Sequence, residues 1–281
     1  FGMGASLDAW DVLLTAMTKK GYTKSELLDA GLVVQNRNGG LYDKFRNRLM
    51  LPVIDTRGDV VAFGSRVLDK SEPKYMNSSE TPVYSKRRVL YGLNLAKKSK
   101  RPNIILCEGN LDIVTLHQAG FDNAVASMGT ALTVEQTRLL SRFTKELVLC
   151  YDNDNAGKIA TERALQILNG SEFSVKVLQL PRRLVDGEYI KQDADDFIKF
   201  QGPDAFERLL NGSENGVEFR MAQIAGKYDL KDDEARIAYC GEVSELLASL
   251  PGAVEREIYT GRAAEAAGIT AEAMKLEVQR S

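Results

Sequence analysis

The residues best equipped for chemistry are acids that arrive in three groups, each following an apolar run. Glu108-Gly109-Asn110-Leu111-Asp112 follows Asn-Ile-Ile-Leu-Cys, and Asp152-Asn153-Asp154 follows Glu-Leu-Val-Leu-Cys-Tyr. Asp193-Ala194-Asp195-Asp196 is expected on a loop after Val-Lys-Val-Leu-Gln-Leu. Carboxylates brought together repel one another unless a cation neutralises them. Hard oxygen donors select Mg²⁺, or Mn²⁺ by similarity, and leave positions open for water and substrate phosphates. An Asp-x-Asp pair on a strand-exit loop aims both carboxylates at one ion. Two ions roughly 3.5–4 Å apart would clamp both ends of an in-line phosphoryl displacement. Each group alone has an ordinary explanation as caps, turn residues or a solvated loop. The ordered set, spaced by crossover helices, points to a metal site. Gly109 reads as the residue permitting a tight turn after Glu108. Asp154 or Asn155 caps a helix that begins near Ala156, and that helix N-terminus favours phosphate.

The elements that must position these acids are legible from periodicity. Residues 103 to about 200 alternate apolar strands with helices ending at Gly120, near Phe143 and at Asn169-Gly170. Strands without polar alternation imply a parallel sheet covered on both faces, and functional groups gather beyond the carboxyl ends of such strands. Residues 1 to about 100 mix helix and strand. Trp10 to Ala30 is helix-like, and Arg48 to Arg66 reads as a hairpin turning at Arg57-Gly58. Lys97 to Pro102 reads as a basic linker, and the chain from about Gly202 onward reads as helices. The expected architecture is α/β, α+β overall. It has an N-terminal mixed lobe (1–100), a central sheet unit (101–201) and a C-terminal helical unit (202–281).

Composition narrows the function classes. The 281 residues are 44% hydrophobic and 27% charged, ordinary values for a globular protein. No apolar run approaches the roughly 18 residues of a membrane helix. The start lacks the pattern of a signal peptide and a leading Met, so a piece of a longer protein is expected. Three scattered cysteines, Cys107, Cys150 and Cys240, fit a reducing cytoplasm. With no CxxC pair and one histidine, His117, a zinc site is not expected. The absence of GxxxxGK[ST] excludes a P-loop. Net charge is -2, yet Gln35 to Arg101 holds fifteen Lys/Arg against six Asp/Glu. That surplus of nine beside an acidic remainder suits an enzyme holding a polyanion in one place and metal ions in another.

Four segments carry a family resemblance: Glu108 to Asp112, Ala126-Ser-Met-Gly-Thr-Ala-Leu-Thr133, Tyr151-Asp-Asn-Asp-Asn-Ala-Gly157 and Asp193 to Asp196. Together they resemble the Toprim domain, shared by bacterial primases, type IA and type II topoisomerases, some nucleases and some recombination mediators. The region before them decides among these. Phe45 to Pro52, Gly58 to Arg66, Pro73 to Pro82, Tyr84-Ser-Lys86 and Leu90 to Leu93 look like motifs of bacterial-type DNA primases. The likeness covers essentially the whole chain.

The resemblance implies a metal-dependent DNA-directed RNA polymerase of replication. Such an enzyme makes short RNA primers from ribonucleoside triphosphates on single-stranded DNA. It implies metal and catalytic acids at Glu108, Asp152, Asp154, Asp193 and Asp195, with Mg²⁺ or Mn²⁺, two or more ions. It implies a DNA- and nucleotide-binding groove at Arg46, Arg48, Arg66, Lys74, Asn77 and Lys86. Glu108 is either a ligand or a general base. One departure is Ala194, where the family usually has proline; the loop is then expected to be less rigid. The family's zinc-binding and helicase-binding domains are expected outside these residues, as are contacts to the replicative helicase and single-strand-binding protein. The core is expected to be a cytoplasmic monomer at the replication fork. Rival readings are a topoisomerase- or nuclease-type Toprim enzyme and a non-catalytic DNA-binding mediator. Nothing here frames a nucleophilic tyrosine, and the acids are all kept. His117 reads as structural, Cys107 and Cys150 as core thiols, and Trp10 and Tyr22 as local packing. Tyr75 and Tyr84, among basic residues, are better placed to stack on a base.

Overall fold

The computed structural model describes residues 1–129, 131–185 and 187–281, and the side chains of all of these but Glu214. Thr130, within one of the resemblance segments, lies outside the described residues. The central layer is a five-stranded sheet. Asn103–Cys107, Ala124–Ala126, Glu146–Leu149 and Ser174–Val177 run parallel, and Glu214–Asn215 closes one edge antiparallel. The order across the sheet is 214–215, 174–177, 146–149, 103–107, 124–126. The chain leaves the strand 103–107 toward one edge and comes back on its other side. The strand order therefore reverses between 103–107 and 146–149. In an open α/β sheet the crevice at such a reversal receives ligands, and Glu108 and Asp152 follow the two strands that flank it.

Alternate residues of these strands enter different cores. Ile105, Cys107, Ala124, Ala126, Val148 and Cys150 share a cluster with Ile113 and Leu116 of the helix Asn110–Gln118. The same cluster takes in Leu51, Val53 and Ala62 from the N-terminal lobe. Ile104, Leu106, Val125, Leu147 and Leu149 pack instead on Leu140, Ala164, Leu165 and Leu168 from helices of the other face. Both faces are dry, which is why the strands read as unbroken apolar runs. Ile105 and Leu106 are 0% exposed, and full burial of such a side chain contributes about 1.5–3 kcal/mol.

The N-terminal lobe is built on a four-stranded antiparallel sheet: Gly4–Ser6, Arg48–Ile54, Val60–Val67 and Tyr75–Asn77. Its central hairpin turns where expected, because Asp55 Oδ1 accepts the N–H groups of Arg57, Gly58 and Asp59. The C-terminal helices Gly216–Ala225, Asp233–Ala248, Ala253–Ala267 and Ala271–Arg280 enclose a separate core that includes Met221, Val243, Leu247, Ala263 and Met274. Among the described residues no helix is long and apolar enough to cross a membrane.

Two local readings are corrected, and two strand features go beyond the sequence reading. The helical pattern of 10–30 is two helices, Val12–Lys19 and Lys24–Asp29. Gly21 breaks it with φ +98, and Thr23 and Glu26 form a reciprocal capping box that starts the second helix. Residues 193–196 are not a loop but the cap and first turn of the helix Ala194–Gln201. A small exposed hairpin, Arg183–Val185 with Glu188–Ile190, precedes them. The two-residue strand 214–215 is too short to carry a periodicity signal and exists through its pairing with 176–177.

Candidate active site

Three chain reversals bring the acids together at one cleft, except Asp154, which stands outside its lining. After Cys107 the backbone turns straight into the helix Asn110–Gln118, so Glu108 and buried Asp112 stand at its start. Gly109 has an ordinary φ of -97, which corrects the expectation of a turn demanding glycine. Its need is steric: a Cβ there would lie 2.7 Å from Asp112 Oδ2. After Leu149 the chain reverses into the helix Asn155–Leu168, capped by Asp154, whose side chain accepts from Gly157 N at 2.8 Å. This fixes the cap at Asp154 and makes Asn155 the first helical residue. Gly157 lets that helix seat against the strand end, since a Cβ would sit 1.9 Å from the Asp152 carbonyl oxygen. Asp193 caps the third helix by accepting from Asp196 N at 2.7 Å. That helix is bound to the first reversal. Asp195 N donates to Asp112 Oδ1 at 3.2 Å, and Thr115 Oγ1 donates to Asp195 Oδ1 at 2.5 Å.

Glu108, Asp112, Asp152, Asp193, Asp195 and Asp196 line one open cleft of ≈ 490 Å³. Its opposite wall comes from the N-terminal sheet and supplies Ser65, Arg66, Lys74, Tyr75 and Asn77. Asn77 Nδ2 donates to the Met128 carbonyl at 3.1 Å, tying the two walls together. Met128 adopts a left-handed φ of +62, a conformation costing a non-glycine residue about 1 kcal/mol or more. Asn77 and Tyr84, whose hydroxyl meets the Met128 sulfur at 3.6 Å, hold it there. Lys74 and the Arg66 guanidinium lie beside the exposed Tyr75 ring, at 5.5 Å and 5.8 Å from its centre.

The acids strain against one another. Burial first, then the charge of Asp193, pushes Asp112 up to about 8. Burial, then Asp152, raises Glu108; burial also raises Asp152 and Asp193 above the ordinary carboxylate range. Asp154 is held low by the Gly157 N–H and by Lys191. Glu108 Oε1 is buried without a hydrogen-bond partner. Carboxylate oxygens of Asp193, Asp195 and Asp196 come within 4.8 Å of one another. A buried carboxylate oxygen without a partner, beside several acids raised by burial and by one another's charge, fits a divalent cation and its all-oxygen ligand set.

Other predicted groove residues lie beyond the cleft lining. Arg46 stacks over Trp10 at 4.0 Å and Tyr42 at 5.2 Å, and donates to the Asp43 carbonyl at 2.6 Å. Arg48 is buried and donates to the Pro73 carbonyl at 2.8 Å, with Nη1 left without a partner. The Lys86 backbone N–H donates to Glu80 at 2.8 Å. Tyr84 is 2% exposed, so the expectation that it stacks on a base is corrected. Trp10, at 65% exposed, packs with its neighbours Tyr42 and Arg46. His117 is structural, its Nε2 lying 2.9 Å from the Ala124 carbonyl. The three cysteines are free thiols.

Asp112 and Asp196 stand in the acid groups of the sequence without an assigned ligand or catalytic role, and Lys191 and Lys199 have none. Asp112 carried a usable signal, since it stands four residues after Glu108 at the start of one helix. Lys199, four residues after Asp195, has the spacing of a helical ion pair, whereas Lys191 carried no signal. Lys191 Nζ reaches Asp154 Oδ2 at 2.9 Å across 37 residues of chain.

A family model described as "DNA primase catalytic core, N-terminal domain" matches residues 1–97. "Toprim-like" matches 105–198, and "DnaB-helicase binding domain of primase" matches 217–272. The last match revises the expectation that every helicase-binding region lies outside these residues. The chain is 42% identical to the DNA primase of Clostridium acetobutylicum, over 98% of its own length. It spans less than half of the curated relatives' length, 44% for this one. It is similar to the crystal structure of a DNA primase domain from Pseudomonas aeruginosa: 34% identity, TM-score 0.80, covering 99% of this chain and 87% of that one. A DnaG primase catalytic domain bound to single-stranded DNA is 33% identical with TM-score 0.80, over 96% of this chain and 83% of that one.

Proposed function

Because the chain belongs to the bacterial DNA primase family, within its catalytic core, we propose that it joins ribonucleoside triphosphates into short RNA primers on a single-stranded DNA template. The observation that carries this reading is the cleft itself. Acids from three strand-to-helix reversals line one wall, and Arg66, Lys74 and Asn77 line the other.

Glu108, Asp152, Asp154, Asp193 and Asp195 would hold Mg²⁺ or Mn²⁺, two or more ions. Such ions would supply Lewis acidity toward the attacking hydroxyl and the pyrophosphate leaving group. The chain's own groups do the rest. Arg66 offers a planar fork of donors to phosphate, and Lys74 a point charge. Exposed Tyr75 offers a ring face to a base. Glu108, held above its ordinary range, is poised either as a ligand or as the acceptor of the hydroxyl proton. Arg46 and Lys86 extend the positive surface beyond the cleft for template. The burial of Arg48 and its bond to Pro73 favour a bracing role for it.

We divide the chain at about 100 and 201, a division supported by the three matched spans. The proposal includes the replicative helicase as partner, with residues 217–272 as one contact surface, and single-strand-binding protein through other regions. It places a monomeric core in the cytoplasm at the fork. The test is incorporation of labelled ribonucleotides on single-stranded DNA, with Mg²⁺, with Mn²⁺ and in EDTA. Incorporation requiring either ion and lost in Asp154→Asn is expected. Product formed equally in EDTA, or by D154N at saturating Mg²⁺, ends the assignment.

A further inference from the structure

Asp154 uses its two oxygens for different purposes. Oδ1 accepts the Gly157 N–H at 2.8 Å and caps the helix 155–168; Oδ2 points away from the helix and meets Lys191 Nζ at 2.9 Å. The same ammonium lies 3.7 Å from Asp152 Oδ2. Lys191 thus rests on the Asp154 oxygen that capping leaves free, and beside the Asp152 carboxylate. Its arm is 60% exposed, while its neighbour Gln192 is 1% exposed and anchored by a 2.7 Å bond to the Pro181 carbonyl. A fixed base and a free, flexible arm are what an exchangeable group requires.

We propose that Lys191 is a built-in counter-ion for Asp152 and Asp154, which a divalent cation must displace to bind there. An exposed lysine–carboxylate pair is weak, about 0–1 kcal/mol, whereas a divalent ion coordinates the oxygens directly. Two cations on one oxygen and its neighbour repel each other, so occupancy by one disfavours the other. Before metal arrives, the ammonium relieves the repulsion between the two acids. Once displaced, its exposed arm is free to turn to solvent. The inference rests on the metal reading of the cleft.

The test is Mn²⁺ binding to the 281-residue chain, followed by the loss of the free-ion resonance signal, together with thermal melts in EDTA and in saturating Mn²⁺. Lys191→Gln and Lys191→Met should bind Mn²⁺ about two- to fivefold more tightly than wild type. Both should melt lower in EDTA and at the wild-type temperature with Mn²⁺. Lys191→Arg should resemble wild type. Lys158→Gln, which removes an equal charge one turn into the neighbouring helix, should change the affinity less. Equal affinities for the Lys191 and Lys158 variants overturn the proposal. So does a melting loss that persists in Mn²⁺, which would make Lys191 a fixed structural ion pair. No Mn²⁺ binding by the wild-type chain would instead overturn the metal reading beneath it.

Discussion

Asp154 shows how one side chain serves both the fold and the site. Its cap on Gly157 N needs only an acceptor oxygen, which asparagine retains and alanine lacks. Asp154→Asn should therefore unfold in urea close to wild type, while Asp154→Ala should lose about 1 kcal/mol more. Equal stabilities would mean the cap contributes nothing. The buried acids give a second expectation. Asp112 sits at about 8, and Glu108, Asp152 and Asp193 are also raised. A carboxyl that keeps its proton in the fold holds one that the unfolded chain has already released above the ordinary range. Stability from this source is full below the unfolded value and is lost as pH rises toward the folded one. In EDTA the melting temperature should fall from about pH 5 to about pH 8, and less steeply in Asp112→Asn. Added Mg²⁺ should stabilise more at the upper end, because metal binds deprotonated ligands. Equal slopes for wild type and D112N would remove Asp112 from the account.

At the scale of elements, the helix 194–201 overturns the expectation of a loose loop. Ala194 is its first residue, 3% exposed, and the preceding Asp193 has φ -88 and ψ 178. Proline is favoured at a first helical position, and an extended residue is what it requires before it. The family's usual proline and this chain's alanine therefore serve one backbone geometry, and the helix supplies the rigidity. Ala194→Pro should leave the fold intact and raise stability by up to about 1 kcal/mol, seen as a later urea midpoint. A loss of stability would show that the pyrrolidine ring collides with the groups that bury Ala194.

At the scale of the molecule, the near-neutral net charge conceals a separation. Arg66 and Lys74, from the basic stretch 35–101, face a wall of carboxylates across one cleft. Screening confines these fields to about 8 Å at physiological salt, so a polyanion responds to the local surface and not to the sum of -2. Binding of single-stranded DNA should weaken linearly in log–log against salt. Arg66→Ala should weaken binding and reduce that slope by about 0.7. An unchanged slope, measured by fluorescence anisotropy across a salt series, would remove Arg66 from the phosphate contacts.

The residues alone determined the parallel sheet, its crossover helices, the hairpin 48–66 and the gathering of three acid groups at one rim. Each is encoded locally, in apolar runs, in turn residues and in the acids placed just past a strand end. Tertiary structure decided the features that depend on distant partners. Arg48 is buried beneath the Pro73 carbonyl, and Tyr84 is sealed against Met128. Asp112 is driven up to about 8 by burial and by an acid 81 positions away. Lys191 finds Asp154 only because a hairpin and a buried glutamine carry it there. Periodicity reports which face of an element is dry; it holds no record of which charges the folded chain will bring within a few ångströms of one another.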